Sequence, residues 1–284
     1  RGPSPVSVGC APVLSYMGAL GVTSFFKNRS FRRALGYDPC RVLELLVCDR
    51  VIDPHSKRGA WESRASFPRA CGFSLHDVYR CLDYLQANAD ALVARMNAEV
   101  ASGRGRDRSG SYYDVTNYYF ECDCDEPGGL RQRGCSKEHR PNPIVQMGLL
   151  LDGEGIPIGY DLFPGNTNDC LTMMPVLKKA REGGAMGGRT VVVADKGLNT
   201  SDNIAACILD GNGYVFGQSA GRCDSSLRKW VLSDDGYGSG DGFKIKSRPG
   251  DKAITLRDRA GRVIDVQRVP VRLVAFWSAK YARR

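Results

Sequence analysis

Between residues 111 and 217 the sequence passes from hairpin strands to strands that alternate with helices. Hydrophobic periodicity predicts strands at 111–120, 144–151, 156–163, 190–194 and 214–217, and helices at 171–181 and 201–209. The first three strands are predicted to be antiparallel, since Asp152-Gly153-Glu154-Gly155 has the chemistry of a hairpin turn. The order of elements predicts an α/β fold, a mixed sheet with helices on its faces.

Two lone acids stand out in these predicted strands. Asp114 lies inside the first strand, and Asp195 follows the apolar strand at 190–194. A carboxylate at an interior strand position carries a large desolvation penalty unless it is paired or bound to a cation. We therefore expect both acids to be buried for a functional reason, and together they suggest a metal site. If the fourth strand lies beside the first, Asp114 and Asp195 become neighbours.

The segments on either side have different patterns. Before residue 110, apolar residues recur at helical spacing after Pro39 and again after Ser74, the predicted N-cap of a helix with Asp77 in its first turn. The glycines and charges of residues 101–110 indicate a flexible linker. Later, alternating segments at 244–246, 253–256 and 263–266 predict short strands. These patterns divide the chain into residues 1–110, 111–221, 222–276 and 277–284, the last being the start of a helix.

Charge follows the same division. The net charge is +9 for the chain, +6 for residues 1–110, −5 for residues 111–221 and +8 for residues 222–284. An acidic centre between basic flanks fits a polyanion that the flanks hold while the central carboxylates collect cations. An ordinary solvated surface gives a similar net charge, so charge supports a nucleic-acid partner without establishing one.

Composition argues against several other classes of protein. No apolar run is long enough to span a bilayer, and the first residues lack the pattern of a signal peptide, so a soluble intracellular protein is expected. The eleven scattered cysteines indicate reduced, mostly structural thiols. Cys122, Cys124, Cys135 and His139 offer a zinc site as an alternative, but the first pair is spaced more closely than in zinc knuckles, and a solvated loop is favoured.

Several motifs, in order along the chain, carry a family resemblance. They are Tyr113-Asp114-Val115-Thr116, Gly148-Leu149-Leu150-Leu151-Asp152, Gly155-Ile156-Pro157-Ile158, Phe163-Pro164-Gly165-Asn166-Thr167-Asn168-Asp169 and Val192-Val193-Ala194-Asp195-Lys196-Gly197. With these motifs the chain resembles the bacterial insertion-sequence transposases of the DDE type, in the branch with a β-strand insertion before the third acid. The similarity extends back to residues 50–57 and forward to residues 276–284, and it is weakest from 222 to 272.

The resemblance implies a ribonuclease H-like core, related to that of retroviral integrases, at residues 111–221. It implies that Asp114 and Asp195 are the first and second of three catalytic acids, which hold two Mg²⁺ or Mn²⁺ ions in the complete site. Water would cut a transposon end, and the freed 3′-hydroxyl would then attack target DNA. The expected function is therefore cut-and-paste DNA transposition by strand cleavage and strand transfer.

The third acid is where the sequence departs from this pattern. In the similar transposases it is a glutamate on a helix beyond the strand-rich insertion, and nothing here matches that stretch. Asp258 and Asp265 lie in turn or edge contexts and are poor substitutes. We expect the glutamate beyond Arg284, so that residues 1–284 are a fragment that binds cations weakly and cuts DNA poorly.

The resemblance also implies partners and a location. Double-stranded DNA, as transposon ends and as target, is the expected partner of a homodimer on paired ends, in the cytoplasm with the nucleoid and away from membranes. Asn166 and Asp169 are assigned to loop and helix-cap structure, with Thr167 or Asn168 opening the helix. Exposed basic residues are the candidates for phosphate contacts, namely Lys57, Arg58, Arg104, Arg106, Arg108, Lys196, Lys244, Lys246 and Arg248.

Two alternative functions remain open. A ribonuclease H-like nuclease or resolvase would hydrolyse DNA at the same metal site without strand transfer. A decayed element would leave a DNA-binding remnant without catalysis. A downstream helix with glutamate, arginine and lysine would favour the catalytic alternatives.

Overall fold

The structure is a computed structural model that describes residues 6–30, 35–137, 139–258 and 260–282. Its helices are α1 Cys10–Ala19, α2 Val22–Ser30, α3 Pro39–Ile52, α4 Lys57–Glu62, α5 Leu75–Gly103, α6 Met173–Glu182, α7 Ser201–Leu209, α8 Ser225–Leu232 and α9 Ala279–Ala282. Its strands are β1 Gly110–Tyr119, β2 Ile144–Asp152, β3 Pro157–Pro164, β4 Val191–Ala194, β5 Gly213–Phe216, β6 Gly238–Gly240, β7 Phe243–Arg257 and β8 Val263–Ser278. Contacts divide the chain into two compact units, residues 1–106 with 183–185 and residues 107–182 with 186–284. The fourfold division drawn from the sequence stays a prediction.

The first unit contains α1 to α5, and its longest helix begins as predicted. The Ser74 hydroxyl accepts a hydrogen bond from the Asp77 backbone N–H, and the Asp77 carboxylate accepts one from the Ser74 N–H, which together form a capping box. The helix ends at Gly103, so the prediction of a linker from residue 101 was wrong for its first three residues. The Arg104 N–H still bonds to the Val100 carbonyl, and only at Gly105, with φ of 78°, does the backbone leave the helical conformation.

Apolar side chains of these helices form the core of the first unit. The stripe of α3 that the sequence places after Pro39 buries Val42 and Leu45, and α5 contributes Val78 to the same cluster. Phe26 of α2 is fully buried in a second cluster. Burial of this kind is the main source of stability for helices that are too short to be stable alone.

The second unit contains a five-stranded sheet in the order β3-β2-β1-β4-β5. The β1–β2 and β2–β3 pairs are antiparallel, whereas β1–β4 and β4–β5 are parallel. Helix α6 packs against β2 and β3, and α7 packs against β5. This mixed sheet with flanking helices confirms the predicted α/β, ribonuclease H-like fold class, and the elements predicted between residues 111 and 217 occur in the predicted order.

A second sheet, in the order β6-β7-β8, follows in the region predicted to be a β-rich insertion. The prediction of short strands was wrong, because β7 and β8 form one long antiparallel hairpin and two of the predicted strands belong to β7. Pro249 lies inside β7, and because β6 pairs with β7 only at residues 243–245, the edge of β7 that β6 borders is unpaired at Pro249.

Two helices also belong to this later part of the chain. Asp224 caps α8, since its side-chain Oδ1 accepts a hydrogen bond from the Leu227 N–H at 2.8 Å, and the region is therefore not purely β. The predicted final helix is present as α9, which begins at Ala279, while Arg283 and Arg284 lie outside the described residues. Among the helices that the structure describes, none combines the length and the apolar character that crossing a membrane requires.

Candidate functional site where strand β4 ends beside strand β1

The two aspartates singled out in the sequence lie side by side where β4 ends next to the middle of β1. Strand β4 lies beside β1, and their last paired residues are Tyr113 and Ala194. Asp114 and Asp195 directly follow these two residues, so the acids continue the same row of the sheet. The predicted condition for their proximity, a fourth strand beside the first, is confirmed.

The prediction that both acids are buried was wrong. The Asp114 side chain is 75% exposed, and Asp195 is also exposed. On β1, Tyr113 and Val115 face the core, so the intervening Asp114 points to the open face. Asp195 lies past the end of β4, where its Oδ1 accepts a hydrogen bond from the Gly197 N–H at 2.9 Å and caps the 3₁₀ turn Lys196–Leu198. Neither carboxylate carries the desolvation penalty that drew attention to it.

A buried series of hydrogen bonds joins β1 to the turn that carries Asp169. The Tyr113 hydroxyl donates to Thr172 Oγ1 at 2.7 Å, and that hydroxyl donates to the Asp169 carbonyl, also at 2.7 Å. Burial raises the pKa of Tyr113, which keeps its hydroxyl protonated as a donor. Gly148 is required beside it, because a Cβ at that position would lie 2.1 Å from the Tyr113 hydroxyl oxygen. These hydrogen bonds anchor the 3₁₀ turn Asp169–Leu171 to β1.

Asn203 of α7 ties that turn to the turn after β4. Its side chain is 2% exposed, and its Nδ2 donates to the Cys170 carbonyl at 3.0 Å and to the Leu198 carbonyl at 2.9 Å. One amide group therefore donates hydrogen bonds to both turns, the one that carries Asp169 and the one that Asp195 caps. The sequence shows Asn203 only as a polar residue near the start of a predicted helix.

The structure adds Asp169 to the surroundings of the two acids. Burial raises the pKa of Asp169, as do the charges of Asp195 and Asp114, while the charge of Lys137 lowers it. Of the two residues predicted to open the helix here, Asn168 is the cap of this turn, since its Oδ1 accepts a hydrogen bond from the Cys170 N–H. Asp169 follows the cap and does not form it, although Asn and Asp are both common in turns.

Lys137 is a further residue of the site that the sequence did not reveal. Its Nζ lies 3.8 Å from Asp114 Oδ1 and donates a hydrogen bond to the Val115 carbonyl. It belongs to the long connection between β1 and β2, a region considered only for its cysteines and histidine. Its position beside Asp114 depends on how that connection folds back onto β1, which no local motif records.

These residues have the donor chemistry of a site for a hard cation. Carboxylate oxygens are the ligands that Mg²⁺ and Mn²⁺ take from proteins, and Asp114 and Asp195 present them at adjoining positions open to solvent. Across the residues that the structure describes, no group of three or more His, Cys, Asp or Glu is placed to hold a metal ion. The four residues of the zinc alternative, Cys122, Cys124, Cys135 and His139, are all described by the structure and form no such group.

The predicted DNA-contacting residues of the second unit have unequal access to solvent. Arg108 and Lys196 are exposed. Lys244 lies 3.4 Å from Asp234, and Arg248 stacks on Trp230 with its guanidinium carbon 4.7 Å from the ring centroid. These two cations therefore have partners within the protein.

Lys246 does not fit its predicted role in DNA binding. It is only 5% exposed, its Nζ donates to the Ser233 and Asp235 carbonyls at 2.5 and 3.2 Å, and it lies 4.1 Å from the centroid of the Tyr237 ring. Strand alternation cannot reveal this arrangement, since the covering residues come from α8 and the segment after it. The prediction for Lys246 is corrected to a structural role.

The first unit carries the other predicted contacts. Lys57, Arg58 and Arg104 are exposed, and Arg58 forms an ion pair with Glu62 at 2.8 Å. Arg106 is half-buried and donates a hydrogen bond to Asn97 Oδ1 at 2.6 Å. Phosphate contact by these residues stays a prediction.

Comparison with known proteins leaves the family of this chain open. No family model matches it, and no curated protein matches it. Among solved structures it is similar to a Mos1 transposase paired-end complex with the left transposon end, at 13% identity and a TM-score of 0.28 over 68% of this chain and 72% of that one. A pre-cleavage Mos1 transpososome and a Mos1 mariner paired-end complex with Mn have identities of 13% and 12%, both with TM-scores of 0.26 over 67% of this chain and 69% of theirs. The fold assignment rests on strand order and direction, not on these likenesses.

Proposed function

We propose that this chain is a DNA transposase that cleaves and joins DNA strands in a metal-dependent reaction, with Asp114 and Asp195 as cation ligands. The observation that carries the proposal is the pairing of β1 with β4, whose last pair, Tyr113 and Ala194, is followed by Asp114 on one strand and Asp195 after the other. Two carboxylates at adjoining positions of a ribonuclease H-like sheet suit the binding of a divalent cation and the handling of a phosphodiester. The sequence motifs around both acids agree with a transposase of an insertion sequence.

The exposure of the two acids is compatible with this chemistry. A phosphodiester of duplex DNA must reach the carboxylate pair, and both acids face solvent. Bound Mg²⁺ or Mn²⁺ would activate the attacking oxygen and stabilise the leaving oxygen of an in-line displacement. The protein's own contribution is to fix the two carboxylates, which the β1–β4 pairing and the Asp195 cap provide.

DNA binding is proposed to depend on the basic residues that remain available to solvent. Residues 111–221 carry a net charge of −5, so this region without cations repels phosphates, whereas residues 1–110 and 222–284 carry +6 and +8. Lys196, which is exposed directly after Asp195, is the candidate phosphate contact nearest in sequence to the acid pair. Binding that depends on such contacts falls steeply as salt rises.

The test uses protein from the complete reading frame that contains these residues, with DNA that carries the two ends of the genetic element around the gene. Cleavage and joining to a supercoiled plasmid are measured with Mg²⁺, Mn²⁺ or EDTA. Asp114→Asn and Asp195→Asn are each expected to abolish cleavage, because an amide is a much weaker cation ligand, while end binding in a gel-shift assay is retained. Asp202→Asn, which changes an exposed acid of α7, is the matched control and should cleave normally.

Each outcome of this test has a distinct meaning. Cleavage by either site variant at the wild-type rate would refute the assignment of the two acids. Cleavage without joining would favour a nuclease or resolvase, and end binding without cleavage by the wild-type protein would favour a non-catalytic remnant.

A further inference from the structure

The connection between β1 and β2 places a lysine ammonium group beside the proposed cation ligands. Lys137 Nζ lies 3.8 Å from Asp114 Oδ1 and donates a hydrogen bond to the Val115 carbonyl, one residue further along β1. The ammonium group is thus held beside Asp114 by two acceptors, the Asp114 carboxylate and the Val115 carbonyl. A divalent cation that binds Asp114 would come close to the same position.

The backbone just before Lys137 is fixed to the same strand. Asn117 of β1 donates through Nδ2 to the Cys135 carbonyl at 3.1 Å, two residues before the lysine. After the lysine, the His139 N–H bonds to the Ser136 carbonyl at 3.1 Å, and His139 has a φ of 54°, a conformation that residues other than glycine seldom adopt. Lys137 therefore projects from a turn whose Cys135 carbonyl is bonded to β1, and this bond supports the contact of Lys137 with Asp114.

We propose that Lys137 is a tethered cation that occupies the space beside Asp114 and competes with the divalent cation for that carboxylate. This inference rests on the proposed function, because it takes Asp114 to be a cation ligand. The ammonium group and the metal ion would both bind the Asp114 carboxylate, and they repel each other when they are close. Without metal, Lys137 offsets the mutual repulsion of the acids. On metal binding, the ammonium must leave Asp114, and its flexible stem lets it do so.

The competition predicts that removal of the lysine charge tightens cation binding. Lys137→Gln removes the charge but retains an N–H group that can still donate to the Val115 carbonyl, and Lys137→Met removes both. We expect roughly two- to fivefold tighter Mn²⁺ binding in each variant, the size associated with one solvent-exposed ion pair. Lys137→Arg retains the charge and should bind Mn²⁺ as the wild type does.

The measurement is Mn²⁺ titration of the full-length protein without DNA, followed by the loss of the electron spin resonance signal of free Mn²⁺. The matched control is Lys178→Met, since Lys178 also lies 3.8 Å from a carboxylate, that of Glu182 four residues further along α6, and both side chains are exposed. It should leave Mn²⁺ affinity unchanged. Circular dichroism shows whether each variant is folded, and the Gln and Met variants provide independent attempts to remove the charge.

The outcomes separate this inference from the function on which it rests. Unchanged or weaker Mn²⁺ binding in Lys137→Gln, with a wild type whose binding is lost in Asp114→Asn, overturns the competition and leaves the metal site intact. Absence of Mn²⁺ binding in the wild type and in both charge-removing variants overturns the metal site and the competition together. Tighter binding in the two charge-removing variants, but in neither the Arg variant nor the Lys178 control, supports the inference.

Discussion

Replacement of Asn203 tests whether one buried amide holds the two turns of the candidate site together. Its Nδ2 donates to the Cys170 and Leu198 carbonyls at 3.0 and 2.9 Å, and its side chain is 2% exposed. Asn203→Leu keeps a similar volume but leaves both carbonyls without this donor. The Leu198 carbonyl still accepts a hydrogen bond from the Thr200 N–H at 2.9 Å, so the substitution orphans one acceptor, the Cys170 carbonyl, and we expect a loss of about 1–3 kcal/mol in the free energy of unfolding.

Because the chain has two compact units, the assay must report on the second unit alone. Urea denaturation combined with hydrogen exchange, read by mass spectrometry in peptides from β4 and α7, meets this requirement. Asn168→Ala is the matched control, since Asn168 is an exposed asparagine that caps the same turn through a 3.3 Å bond to the Cys170 N–H. Its loss should cost less than about 1 kcal/mol. An equal effect of the two substitutions would refute the proposed tie.

Two further predictions concern ionisable groups in the first unit. Burial raises the pKa of Cys40 and Cys81 to about 12, so at pH 8 iodoacetamide should modify the exposed Cys124 well before either of them, as peptide mass spectrometry can show; equal rates would contradict the structure. Hydrogen bonds from the Ser74 backbone and side chain lower the pKa of Asp77, so its contribution to stability is present above its unfolded pKa of about 3.9 and is lost as pH falls through the lower folded value. Thermal melts of Asp77→Ala should therefore show a deficit at neutral pH that shrinks in acid, and a deficit that persists at pH 2 would contradict the capping role.

The sequence predicts those features of the site that depend on local pattern and on topology. Ser74 and Asp77 form the predicted cap because that chemistry involves residues three apart. The proximity of Asp114 and Asp195 is predictable for another reason: hairpins followed by helical crossovers leave few strand orders open, and β4 beside β1 is one of them.

The rest depends on contacts between segments that are distant in sequence. Lys137 reaches Asp114 through a long connection, and Asp169 approaches both acids because Asn203 joins two turns. Burial was predicted wrongly for a related reason, since an apolar run does not show which of its side chains other segments cover. Asp114 therefore proved to be exposed, and Lys246, in an alternating strand, proved to be buried.

The exposure of the acids changes what the candidate site requires of its cation. A carboxylate pair buried in the sheet would need a metal ion in order to fold, because metal binding would have to offset its desolvation. Asp114 keeps most of its solvent contact and already has Lys137 at 3.8 Å, so this part of the sheet can fold without metal. A metal ion that binds Asp114 then has to displace water and one ammonium group, and its binding does not have to drive folding. Cation affinity at such a site can be tuned by one side chain without loss of the fold, which is the condition under which the Lys137 variants give an interpretable answer.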